Sequence, residues 1–226
     1  MSKTNLDWIK SISAKASQIR NLLKERSESG PAAVDFFVGC YGNPDADVIF
    51  MPEIPSLSAK EVIKEAYCKR SDELWKTAWK VSIGDYLFRT ALYKNGFIPE
   101  DLDPLNDEPS KWNCWITDFV KEANYTKSWN KMEQIEKAKV LSRSGDFLRE
   151  ELKILNGPPN RIRWVVFVGK KPTSYFSKYV KRDEHDDFTF NKDWVYHYAW
   201  PKSREDREKF RSRFRAVSEN VHKDDK

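Results

Sequence analysis

The run Ala46-Asp47-Val48-Ile49-Phe50-Met51, closed by Pro52-Glu53-Ile54-Pro55, constrains the fold more than any other stretch of the chain. Its length and bulk predict a strand buried on both faces rather than a helix. Pro52 and Pro55 carry no backbone N–H, so the ladder stops there and Glu53 stands where the chain leaves the sheet. Open parallel sheets bind ligands at the carboxyl ends of their strands. Glu53 is therefore a candidate for chemistry, weighed against a plain surface glutamate in a proline-rich turn.

Three more strands follow, separated by helical segments and, from Ile98 to Ser110, by a long acidic, proline-rich loop. Trp112 to Val120, Ile162 to Val168 and Asp193 to Tyr198 are apolar runs bounded by turn residues. Between them the periodicity is helical. An amphipathic helix is predicted from Asn5 to Arg26, marked by Leu6, Ile9, Ile12, Ile19, Leu22 and Leu23. Ser58 and Glu61 form a capping box that opens a helix to about Arg70. A helical stretch over Ser71 to Gly96 is closed by its glycine, and one or two helices span Lys131 to Leu155. Gly169 to Pro172 turns into a further helix, and Ser203 caps a charged last helix through about Ser218. Strands alternating with helices predict an α/β fold: a three-layer α/β/α sandwich with a central four-stranded parallel sheet. One domain is expected over 1–226, with an N-terminal helix at 5–26 and a charged C-terminal helix and tail at 203–226.

Composition excludes several classes. No apolar run approaches the roughly 20 residues that cross a bilayer, and Met1 to Lys10 has no apolar core of a secretory signal. Cys40, Cys68 and Cys114 are odd in number and scattered, which fits neither a disulfide framework nor a metal or iron–sulfur site. A reduced, cytoplasmic or nucleoid-associated protein, not secreted, is the expectation, without membrane, metal or cofactor. The net charge of +5 permits an anionic partner without requiring one. Aromatic residues reach 14%, enough for stacking platforms as well as core.

The order of the motifs resembles the uracil-DNA glycosylase superfamily, in particular its branch with a Gly-Glu-Ala-Pro-Gly first motif. Ala46 to Ser56 keeps the strand, the glutamate and the second proline, with Pro52 and Ser56 in place of the glycines. Trp79 to Leu87 is similar to the family's next segment, and Ile116-Thr117-Asp118-Phe119-Val120-Lys121 to its second strand, with Asp118 where asparagine is usual. Val165 to Gly169 is similar to the third strand. In the last motif, His-Pro-Ser, anchoring on Pro201 puts Trp200 at the histidine position, and His197 is the nearest imidazole. The branch's cluster-binding cysteines are not reproduced.

The resemblance implies hydrolysis of the N-glycosidic bond of uracil or another modified base swung out of DNA. Glu53 would orient water or stabilise the cationic sugar, and His197 would donate to the departing base. Trp79 and Pro55 would line the base pocket, and Asp118 would read the base edge. An ionised aspartate only accepts hydrogen bonds, so Asp118 suits an exocyclic amino group better than uracil O4. Each has a plainer reading: Trp79 as core beside Leu74, Trp75 and Ala78, Asp118 as a backbone cap, His197 as a satisfied structural residue. His185, in the acidic run Arg182 to Asp187, reads as a solvated loop rather than a metal ligand, and His222 as part of a charged tail.

Two basic stretches are candidates for DNA phosphates: Lys170 and Lys171 after the third strand, and Lys202, Ser203 and Arg204 after the fourth. A monofunctional, monomeric DNA glycosylase acting on single- or double-stranded DNA is the expectation. The alternatives are a catalytically eroded nucleic-acid-binding module of the same fold and a nucleoside or nucleotide hydrolase.

Overall fold

A computed structural model describes residues 14–29, 40–53, 83–105, 107, 109–121, 126–180, 188–198 and 201–223. Five strands form one sheet: β1 (Cys40–Gly42), β2 (Val48–Met51), β3 (Trp115–Thr117), β4 (Trp164–Val168) and β5 (Asn191–Val195), in the order β1-β3-β2-β4-β5. Strands β3, β2, β4 and β5 are mutually parallel, as the sequence predicts. The short β1 adds an antiparallel edge through Cys40–Thr117, Tyr41–Ile116 and Gly42–Trp115 pairs. Gly42 has φ 109° and its Cα lies against the Cys114 carbonyl, where a side chain would collide.

The helices are α1 (Ala14–Ser29), α2 (Ile83–Lys94), α3 (Thr126–Lys131), α4 (Gln134–Leu155), α5 (Lys170–Tyr175, continued by a π-helical turn over Phe176–Val180) and α6 (Arg204–Lys223). The two-residue period of each strand sorts side chains onto two faces. Ile49, Met51, Trp115, Val165 and Phe167 face α1, α4 and the π-turn, meeting Ile19, Phe147, Leu148, Leu152 and Phe176. Val48, Phe50, Ile116, Val166, Val168 and Val195 face α2 and α6, meeting Phe88, Leu92, Phe210, Phe214 and Val217. Three layers result. Phe50 lies 5.9, 4.9 and 5.6 Å from the rings of Phe88, Phe97 and Phe214. Deleting that ring would cost about 3–5 kcal/mol.

Several boundaries shift, for local reasons. The second strand, expected over Trp112 to Val120, shrinks to Trp115–Thr117. A tight turn at Pro109–Lys111 holds Trp112, and Asn113 N–H bonds to the Phe97 carbonyl. Beyond the strand, Phe119 and Val120 donate to the Pro52 and Glu53 carbonyls, both at 2.9 Å. The first helix runs on to Ser29 rather than Arg26, and its expected start at Asn5 lies outside the described residues. The last strand begins at Asn191 and stops at Val195, where the expectation was Asp193 to Tyr198. The last helix continues past Ser218 to Lys223, because Val217 and Val221 extend its apolar face. His222 closes this face: its ring stacks on Phe97 at 5.6 Å. The Ser58 capping box and 71–82 of the expected helix over Ser71 to Gly96 lie outside the described residues.

Register between β2 and β4 is pinned at their amino ends. Arg163 and Trp164 both donate to the Asp47 carbonyl, at 2.8 and 3.1 Å, and the Arg163 guanidinium pairs with the Asp47 carboxylate. The carboxyl ends of the two strands are thereby brought level. Among the described residues no helix is long and apolar enough to cross a membrane.

Candidate functional site

Strand order decides where a site can form. The chain leaves β2 toward β3 on one side and leaves β4 toward β5 on the other. A crevice opens between the carboxyl ends of two strands whose connections diverge in this way. Glu53 leaves the sheet two residues after β2, and Lys171 and Tyr175 lie in the helix that follows β4. They meet across that crevice.

Three donors converge on Glu53 Oε1: Trp129 Nε1 at 3.1 Å, Lys171 Nζ at 3.0 Å and Tyr175 Oη at 3.3 Å. Their protein surroundings differ. Trp129, on α3, is buried, with Lys137 Nζ 5.0 Å from its ring centre. Tyr175 is half-buried against Phe119, ring centres 5.5 Å apart. Burial first, then the Glu53 charge and hydrogen bond, push its hydroxyl up to about 12, so it stays a neutral phenol. The Lys171 side chain is 56% exposed, and that of Glu53 only 12%. All three bonds fall on Oε1, and among the described residues none reaches Oε2. One oxygen is thereby anchored.

The backbone at Glu53 is tied to the segment that follows β3. The paired bonds from Phe119 and Val120 fix its backbone, and the following Lys121 is fully buried. Lys121 Nζ pairs with Glu151 Oε2 at 2.6 Å, and Trp115 Nε1 and Thr117 Oγ1 donate to Glu151 Oε1 at 3.1 and 2.8 Å. Lys121 N–H also bonds Ser144 Oγ at 3.1 Å. An ion pair so enclosed is a rigid post rather than a reactive group. Asp118 lies fully buried between this post and Phe119 in the chain.

His197 follows β5 and lies against Gly169, whose φ of 95° lets the backbone turn out of β4. A Cβ on Gly169 would sit 3.4 Å from His197 Cβ. The imidazole stacks on Tyr198 with ring centres 4.4 Å apart. Burial lowers its pKa from 6.5, the Glu53 charge opposes that shift, and the Lys171 charge adds to it. Burial therefore favours the neutral form of the ring.

Of the residues singled out from sequence, Glu53, Lys171 and His197 share one electrostatic neighbourhood. Lys171 was expected to hold phosphate, whereas its ammonium lies on Glu53. Lys170, Lys202, Ser203 and Arg204 are exposed. The amides of Lys202 and Ser203 are already bonded to Asp206 Oδ2, at 3.2 and 3.1 Å, and Ser203 Oγ accepts from Asp206 N–H at 3.0 Å. That is a reciprocal helix cap, so any phosphate contact there falls to the side chains. Pro55, Trp79, Trp200 and the acidic loop with His185 lie outside the described residues. Cys114 is buried, which pushes its thiol up and leaves it unreactive.

Sequence reasoning missed Trp129 and Tyr175. Tyr175 stands four residues after Lys171, a spacing that puts both on one helical face, and that signal was available. Nothing local marks Trp129. No protein-family model matches the chain, and no curated protein matches its sequence.

Proposed function

We propose that the chain hydrolyses the N-glycosidic bond of uracil or another modified base flipped out of DNA. The observation that carries this reading is an anchored carboxylate, Glu53, in the electrostatic neighbourhood of a buried imidazole, His197, whose proton affinity burial lowers, past the carboxyl ends of parallel strands. The reaction makes two demands. Positive charge develops on the sugar, and a fixed carboxylate oxygen answers it or orients the attacking water. Negative charge develops on the departing base, and a neutral N–H donor answers that without being neutralised first.

Glu53 Oε2 faces the anomeric carbon in this scheme, held by the three donors on Oε1. His197 donates to the leaving base. Exposed Lys170, Lys202 and Arg204, with a net charge of +5, attract the DNA backbone without reading sequence. Trp79, Pro55 and Asp118 complete the pocket by resemblance to the uracil-DNA glycosylase superfamily. The enzyme acts as a monomer and needs no metal.

A second reading, a nucleic-acid-binding module, draws support from Lys171: a carboxylate already satisfied by an ammonium is a stable resting arrangement. Base release from oligonucleotides carrying uracil, hypoxanthine or modified cytosines separates the two. The enzyme releases a base and Glu53→Gln does not; a binding module retains salt-sensitive DNA binding and releases nothing.

A further inference from the structure

We propose that Lys171 is an amine nucleophile that captures the aldehyde of the abasic deoxyribose left after base release, as a reversible imine. The inference rests on the glycosylase reading, because that reading places the anomeric carbon beside Glu53. Lys171 Nζ stands 3.0 Å from Glu53 Oε1, so the amine neighbours the carboxylate at which that reading holds the sugar; attack requires the side chain to swing until nitrogen and carbon are roughly 3–3.5 Å apart.

Three features distinguish this lysine from an ordinary ion-pair partner. Its side chain is 56% exposed and free to swing, whereas the carboxylate is 12% exposed and fixed. Glu53 Oε1 keeps Trp129 and Tyr175 as donors when the ammonium leaves, so the site does not collapse. The carboxylate is also the nearest acceptor for the proton that the ammonium must lose before its lone pair can attack. Lys170, one residue earlier, is exposed and has no such acceptor among the described residues.

The step balances without an oxidant or reductant. Lys171 passes one proton to Glu53, and the freed lone pair forms a C–N bond to C1′ of the ring-opened sugar while the carbonyl π pair moves to oxygen. Nitrogen gives that oxygen a second proton. Glu53 then returns its proton, the hydroxyl leaves as water, and the nitrogen lone pair closes the C=N bond. The product iminium carries the charge that the ammonium carried, beside the same carboxylate.

The test uses the full chain and DNA with a single preformed abasic site, reduced with borohydride. A stable protein–DNA adduct is expected, mapped by peptide mass spectrometry to Lys171, and none on a tetrahydrofuran analogue that lacks the aldehyde. Lys171→Arg keeps the cation but cannot form an imine, so its adduct falls to background; Lys153→Arg, at an exposed lysine of α4 paired with Glu150, keeps the adduct. No adduct on the parent chain, or an adduct mapped to another amine, overturns the proposal without needing a variant. Base release without an adduct removes amine capture and leaves the glycosylase; an adduct without base release keeps Lys171 and removes the glycosylase.

Discussion

Glu53 Oε1 and Lys171 Nζ face each other at 3.0 Å across the gap between the ends of β2 and β4. One residue lies two positions past the end of β2 and the other in the first turn of the helix after β4, so the adjacency of these two strands brings them together. The same crevice admits His197 from the end of β5. Around Glu53, two neutral donors and one cation act on a single oxygen, which fixes the carboxylate.

Trp129 and Tyr175 are positioning residues, acting through Glu53. Trp129→Phe or Tyr175→Phe removes one donor to a carboxylate, an interaction of about 1.5–3 kcal/mol. Base release is expected to slow roughly ten- to a hundredfold in single-turnover kinetics, with DNA affinity unchanged in salt-matched titrations. A matching loss of DNA affinity would assign the two rings to binding instead.

The depressed His197 pKa gives stability a definite pH dependence. The folded state holds this proton less tightly than the unfolded chain, so its contribution is present above the ordinary value of 6.5 and is lost as pH falls through the folded pKa. Denaturant titrations from pH 8 to pH 5 are expected to show the parent losing more stability than His197→Gln over that window. Equal pH slopes for the two proteins would contradict a buried, neutral imidazole.

The buried Lys121–Glu151 pair makes an asymmetric expectation. Lys121→Met strands Glu151 without its cation and should cost about 3–5 kcal/mol in urea unfolding. Lys121→Met with Glu151→Leu removes both charges and should recover most of that loss. A double variant as unstable as the single would show that Thr117 and Trp115, not the ion pair, set the cost.

Legibility differed between the frame and the site. Val48–Met51 and Trp164–Val168 were readable because strands buried on both faces carry unbroken apolar runs. Cys40–Gly42 was not, since an edge strand of three residues has no periodicity and owes its pairing to β3. The end of β3 was misplaced because Phe119 and Val120 are apolar like a strand yet bond to Pro52 and Glu53 outside the ladder. Glu53 stood out through its flanking prolines. Trp129 did not, because its role depends on where α3 lands after β3, a tertiary fact with no local mark. Lys171 showed its charge in the sequence but not its partner, which lies 118 positions away.

The most direct measurement is single-turnover base release at protein excess, with the freed base detected by mass spectrometry from oligonucleotides carrying a panel of modified bases. The parent chain is expected to release one base or a small set, His197→Gln to do so more slowly, and Glu53→Gln not at all. Salt-sensitive DNA binding with no free base from any oligonucleotide would contradict the catalytic account and leave the anchored carboxylate as part of a binding surface.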